Sequence, residues 1–232
     1  SSSSSSSSSD ASDLRGVVPL TARSARDPNV SSVRAAIDHC NRLTSWVAFT
    51  VMAGQTPRER AAEYDRFVNV AMQCVRANNY SAAMAILAGV NHNAVFRMRQ
   101  TRAEISERAA AAVEDLKELF SASGSFQRYR KRLHECRPPT ICFLGIVLQD
   151  LTFTLDGNPD YYCGDRLVNF RKWRRASEII HTQHSLLVTD EHSYSFNLQS
   201  SLALALGHVV VNSFRSDDDL YALSLRQEPR QG

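Results

Sequence analysis

Apolar residues return at three- and four-residue steps through most of the chain, and that period predicts a helical protein. From Asn29 onward, Val33, Ile37, Cys40, Leu43, Trp46, Val47 and Val51 mark one buried stripe, and Gly54 follows as a stop signal. Thr56, Pro57 and Glu59 announce the next helix. Thr56 caps it, proline suits the first helical position, and Glu59 completes a capping box. Tyr64, Phe67, Val68, Ala71, Cys74 and Val75 line its inner face, and Asn78-Asn79 breaks it. A short, very apolar helix is expected over residues 81–90, a fourth over about 103–121, and a fifth over about 126–136, stopped by Pro138-Pro139.

The stretch 141–155 stays open on pattern alone. Ile141 to Leu148 is apolar and β-branched enough for a buried strand, and periodicity does not separate strand from helix over so short a span. Asp156-Gly157-Asn158-Pro159 is then a strong turn signal. Beyond it, residues 166–184 read as a long helix with Leu167, Phe170, Trp173, Ala176, Ile179 and Ile180 on one side and basic residues on the other. Two more helices are expected near 196–206 and 217–225. Ser216 is the N-cap of the last, and Asp217, Asp218 and Asp219 complement the dipole in its first turn. The expectation is an all-α single domain over residues 29–230, without internal repeats. Residues 1–28 open with nine serines, cannot bury apolar surface, and are expected to form a disordered linker.

Composition narrows the function classes. The chain has 232 residues, enough for one sizeable domain or two small ones, and its 43% hydrophobic and 22% charged residues are ordinary for a soluble globular protein. A net charge of +3 with scattered basic residues gives no reason to expect nucleic acid. The one basic cluster, Arg171, Lys172, Arg174 and Arg175, reads as a solvated helix face. Five cysteines, at 40, 74, 136, 142 and 163, form no Cys-x-x-Cys pair, so free thiols in a reducing, cytoplasmic setting are expected and zinc is not. No apolar run reaches the length of a membrane span, and no anchor of the chain's own is expected. His181 and His184 stand three apart without a paired carboxylate and read as surface histidines. Neither a metal nor a cofactor is implied. The nucleotide-binding, hydrolase and zinc-protease signatures are absent, so the residues propose binding rather than covalent or acid–base catalysis.

Seven blocks, in order, resemble the catalytic domain of Ras-family guanine-nucleotide exchange factors, the group that includes Son-of-sevenless. Asn41-Arg42-Leu43-Thr44-Ser45-Trp46-Val47 resembles the family's Asn-x-x-Ser/Thr-x-Trp-Val block, and Asn78 to Ile86 its Asn-Asn-Phe block. Val95-Phe96-Arg97-Met98 with Thr101 follows, then Arg137-Pro138-Pro139 with Phe143-Leu144-Gly145. Leu148 to Phe153 with Gly157-Asn158-Pro159 is similar to Leu-x-Asp-Leu-Thr-Phe-x-x-Glu-Gly-Asn-Pro, with Asp156 where the family commonly has Glu. Leu167-Val168-Asn169-Phe170-Arg171-Lys172 and the closing Ser224 to Arg230 complete the series.

The resemblance implies a helical domain with a protruding hairpin, formed by the segments around 148–156 and 166–184, so it turns the open run before Asp156 into helix. It implies that the hairpin wedges switch I of a small GTPase of Ras, Rap or Ral type away from its nucleotide while the core holds switch II. Thr152 is the match for the residue that blocks the magnesium site, and Asp156 for the carboxylate that opposes phosphate. Asn41, Phe126, Phe143, Asp150 and Arg175 are the implied GTPase contacts; Gly157, Asn158, Pro159, Asn169 and Phe170 are the implied hairpin supports. The resemblance further implies a leucine- and glutamate-rich block ahead of residue 29, which is not recognisable in this chain, and work done at a membrane surface. An exchange fold that binds a GTPase or scaffolds without speeding release is the second reading.

Overall fold

The computed structural model describes residues 28–164, 166–187, 194–195, 197 and 199–230. The serine tract lies outside the described residues, as does Phe196 at the start expected for the penultimate helix. In chain order, the described helices are α1 (Pro28–Ala53), α2 (Pro57–Arg76), α3 (Tyr80–Val90), α4 (Asn93–Phe96), α5 (Arg99–Ala103), α6 (Glu107–Leu119), α7 (Gln127–Glu135), α8 (Leu144–Asp156), α9 (Phe170–Leu186), α10 (Ser200–Asn212) and α11 (Asp217–Gln227). Two short strands, β1 (Tyr161–Tyr162) and β2 (Leu167–Val168), lie between α8 and α9. The architecture is all-α. The described residues fall into two compact units: a larger one within 33–143 and 181–230, and a smaller one within 144–180 together with 28–32.

The larger unit is built on α1, α2 and α3. Val47, Ala48, Val51 and Met52 of α1 are wholly buried, as the stripe predicts. The capping box of α2 forms as expected: Glu59 N–H donates to Thr56 Oγ1 (3.2 Å) and Thr56 N–H to Glu59 Oε2 (3.3 Å). Tyr64, Phe67, Val68 and Ala71 are buried, and Phe67 meets Trp46 edge-on with ring centroids 5.3 Å apart. Helix α2 packs against α3, α5 and α6. Where α1 crosses α3, a Cβ at Gly89 would stand 2.7 Å from Val47 Cβ and 2.8 Å from the Thr44 carbonyl, so only glycine permits that approach.

Several element boundaries differ from expectation. The helix expected over about 103–121 is α6, which starts only at Glu107 because Ser106 turns extended and caps it, its hydroxyl accepting from Ala109 N–H (3.1 Å), and the short α5 lies ahead of it. The four-residue α4 is too short to show a period, and His92 Nδ1 caps it by accepting from Ala94 N–H (3.2 Å). The helix expected over 166–184 begins only at Phe170, because Leu167 and Val168 pair antiparallel with Tyr162 and Tyr161. The apolar run from Ile141 is split. Ile141 makes a parallel bridge with Asn79, its N–H donating to the Asn78 carbonyl (2.9 Å) and its carbonyl accepting from Tyr80 N–H (2.9 Å). Helix α8 takes over from Leu144.

The end of the larger unit is tied to its middle by a buried ion pair. Arg60 of α2 is 1% exposed, and its guanidinium meets Glu228 Oε1 at 3.1 Å. Arg60 Nε also donates to Thr101 Oγ1 (2.8 Å), and that hydroxyl donates to Glu228 Oε1 (2.7 Å). The amides of Thr101 (2.9 Å) and Gln100 (3.0 Å) complete the carboxylate's donors. Arg97 secures the same turn from outside, donating to the carbonyls of Ser224 (2.8 Å) and Glu228 (2.9 Å). Burial pushes the Glu228 carboxyl up, but the donors from Thr101, Gln100 and Arg60 outweigh it and hold it below its ordinary 4.5.

Removing the carboxylate leaves a buried guanidinium without its counter-charge. Glu228→Ala is expected to cost about 3–5 kcal/mol of stability at pH 7, measured by urea unfolding. Because the folded carboxyl titrates below 4.5, its contribution is complete above that pH and fades as pH falls from 4.5 toward the depressed value. The difference between wild type and variant should therefore shrink below pH 4.5.

Candidate functional site

In the smaller unit, α8 turns one face outward. Gln149, Phe153 and Asp156 are exposed and Thr152 is half-buried, a spacing that places all four on one stripe of the helix. Thr152 and Asp156 thus stand one turn apart on the same face, with Phe153 beside them at 66% exposure. Asp150 falls on the other side of α8, half-buried, its carbonyl accepting from Thr154 Oγ1 (2.8 Å). It does not share the face of Thr152 and Asp156.

The turn that follows is held at almost every residue. Gly157 N–H donates to the Phe153 carbonyl (3.1 Å), and a Cβ there would come within 2.6 Å of that same oxygen. Asn158 Nδ2 donates to the Thr154 carbonyl (3.0 Å). Asn169, 2% exposed, closes the turn from the far side: its side-chain amide donates to the Pro159 carbonyl (2.8 Å) and its N–H to the Asp160 carbonyl (2.8 Å). It also caps α9, Oδ1 accepting from Lys172 N–H (3.2 Å). Gly157, Asn158, Pro159 and Asn169 are therefore brought together. Phe170 is not part of that cluster and is 74% exposed.

Helix α9 departs from its expected sides. Leu167 ahead of it and Phe170, Trp173 and Ile180 along it are 47–74% exposed, whereas Ala176 is buried. The basic cluster divides: Arg171, Arg174 and Arg175 are exposed, while Lys172 is 7% exposed and points into the turn. Sequence reasoning missed Lys172 by counting it with its charged neighbours. The signal was available in its place three residues after a capping asparagine.

In the larger unit, Asn41 is exposed on α1 and lines a cleft of about 410 Å³ with Asp38, Arg42, Val211 and Phe214. Val211 and Phe214 were not anticipated. They continue a row of exposed apolar side chains on and after α10, Leu202, Leu204, Leu206 and Val209 among them. The uncharged sequence of α10, apolar on every side, was the available sign. Phe126 and Phe143 are both half-buried. Phe126 starts α7 in a left-handed conformation (φ 61°). Phe143 is fixed through its backbone, its N–H donating to the hydroxyl of buried Tyr129 (2.9 Å).

Burial pushes the Tyr129 phenol well above its ordinary value and raises the Cys142 thiol to about 11, with Cys136 adding to the second shift. Such a thiol stays protonated and inert near neutral pH. Among the described residues no group of three or more His, Cys, Asp or Glu is placed to hold a metal ion; His181 and His184 are both exposed. No described helix is long and apolar enough to cross a membrane.

Comparison with known proteins agrees with these features. The RasGEF domain family matches residues 6–174. The chain belongs to the RasGEF domain family. Relatives of this RasGEF domain include Ras guanine nucleotide exchange factor K of Dictyostelium discoideum, 30% identical over 89% of the chain, and Ras guanine nucleotide exchange factor A of the same organism, 32% over 91%. Ras-specific guanine nucleotide-releasing factor 1 of Rattus norvegicus is 32% identical over 83%. The chain spans 13%, 35% and 15% of the lengths of these three proteins.

The space around Gly157 gives a direct check on the turn. Gly157→Ala puts a methyl group against the Phe153 carbonyl and is expected to destabilise the domain by about 1–3 kcal/mol, read as a lower midpoint in thermal unfolding followed by circular dichroism.

Proposed function

We propose that this RasGEF domain, residues 29–230, accelerates release of guanine nucleotide from a Ras-family GTPase of Ras, Rap or Ral type. The observation that carries the reading is the pairing of Thr152 and Asp156 on one outward face of α8, immediately before a turn locked on both sides. A group that must enter another protein's nucleotide site has to be exposed, and it has to be held still. Asp156 is exposed at this end of α8, Thr152 is half-buried one turn before it, and the turn that follows is held from both sides, which supports this reading.

The physics is differential binding. An exchange factor speeds release by preferring the nucleotide-free GTPase, and each tenfold gain corresponds to about 1.4 kcal/mol. In this reading the α8–α9 pair acts as the wedge at switch I. Thr152 occludes the magnesium position by volume. Asp156 places negative charge where a phosphate would lie, repelling it and competing for the backbone donors that cradle it. Aspartate is one methylene shorter than glutamate, so repulsion carries more of the effect than direct competition. Asn41, Phe126 and Phe143 hold switch II, and the cleft beside Asn41 offers an apolar wall in Val211 and Phe214. Asp150 meets the GTPase from α8 and Arg175 from α9. Ras-family substrates are lipidated, so the work takes place in the cytoplasm at a membrane surface.

The test is release of a fluorescent guanine nucleotide from preloaded Ras, Rap and Ral proteins. Wild type is expected to accelerate at least one of them, and Asp156→Ala to slow that reaction about tenfold, a loss of about 1.4 kcal/mol. An unchanged rate in Asp156→Ala would remove the role given to that carboxylate. No acceleration with any of the three would leave a GTPase-binding or scaffolding domain instead.

A further inference from the structure

The smaller unit buries one full charge, and it lies behind the turn that ends α8. Lys172 has a side chain 6% exposed. Its ammonium donates to the Asn158 carbonyl (2.8 Å) and to Asp160 Oδ1 (2.6 Å). It also lies 5.6 Å from the centre of the Trp173 ring. Asn158 reaches back to the Thr154 carbonyl, and Asp160 accepts Asn169 N–H through its own carbonyl. One ammonium thus connects the last turn of α8, the 157–160 turn and the first turn of α9.

A stabilising ion pair alone accounts poorly for this placement. The partner carboxylate of Asp160 is 53% exposed, and pairs open to water contribute little, whereas burying an ammonium is costly. The charge is instead spent on geometry. A compact ammonium with three donors can hold a carbonyl and a carboxylate at once, which an apolar side chain of the same length cannot. The residue whose direction depends most on this arrangement is Asp156, which lies between Thr154 and Asn158, the two residues joined by the hydrogen bond that the Asn158 side-chain amide donates to the Thr154 carbonyl.

We propose that Lys172 is a positioning residue for Asp156: it fixes the turn so that the carboxylate at the end of α8 is presented in one direction. The inference rests on the exchange reading given above. It makes two predictions, one on rate and one on structure. Lys172→Met should lower the maximal rate of nucleotide release about tenfold while the half-saturating concentration changes less than threefold. Lys172→Arg should recover most of that rate, and Asp160→Asn should show a smaller loss of the same kind. Because Lys172 acts through Asp156, Lys172→Met should have little further effect in an Asp156→Ala background. Additive losses in the double variant, or an unchanged maximal rate in Lys172→Met, would overturn the proposal.

Amide hydrogen exchange supplies the second measurement. In Lys172→Met the Gly157 and Asn169 amides should exchange at least tenfold faster than in wild type, with Lys172→Arg close to wild type. Unchanged protection would overturn the positioning role even if the variant lost activity through misfolding. A wild-type domain inactive on every GTPase would instead overturn the exchange reading and the catalytic half of this inference. The amide protection would still decide whether Lys172 holds the turn.

Discussion

The larger unit depends on a charge that could not be buried alone. Arg60 sits in the first turn of α2, whose other inward residues are apolar, and it is as inaccessible as they are. A guanidinium in that position is tolerable only if its donors are matched, and the match comes from far along the chain: Thr101 from α5, and Glu228 from the turn after α11. Around that centre the connections α2–α3, α2–α5 and α4–α11 acquire their positions. The apolar stripes make the helices attractive to one another; the ion pair decides which turn meets which.

The smaller unit applies the same device on a smaller scale. It has little apolar core of its own, with Ile146 and Ala176 its only buried large or methyl-bearing apolar residues among those described. Its order comes from polar bonds among Asn158, Asp160, Asn169 and Lys172. That trade leaves the outer faces of α8 and α9 free to carry apolar side chains such as Phe153 and Phe170 in the open. Polar bonds within the unit supply rigidity that a core would supply elsewhere.

Much of this was legible in the sequence where local chemistry decides structure. The Thr56-Pro57-Glu59 start, the Ser216 cap with its Asp219 partner, and the break at Asn78 (φ 55°) all follow from side chains competing for a few backbone groups. The sequence was mute where distant partners decide. Ile141 is β-like because Asn78 and Tyr80 offer it a ladder edge, and Leu144 is helical three residues later; nothing in the run Ile-Cys-Phe-Leu distinguishes them. Leu167 and Val168 suit a helix by period and were drawn into a strand by Tyr161 and Tyr162. Asp156 and Thr152 were singled out through family likeness alone, and their common face became visible only once α8 was seen to be helical. Lys172 was lost because a charge in a basic run looks solvated until its neighbours in space are known.

The reach of the Arg60–Glu228 contact has a consequence for how the protein is made. The two residues are separated by 168 positions, and Thr101 is 127 from Glu228. During synthesis α1, α2 and α3 emerge well before Glu228 and can pair by their apolar faces, yet Arg60 has no counter-charge until the chain has been extended by those 168 residues. These helices should therefore remain a loose, reversible assembly until then and tighten in one step. A contact order dominated by that closure favours slow, all-or-none completion of the larger unit over piecewise growth.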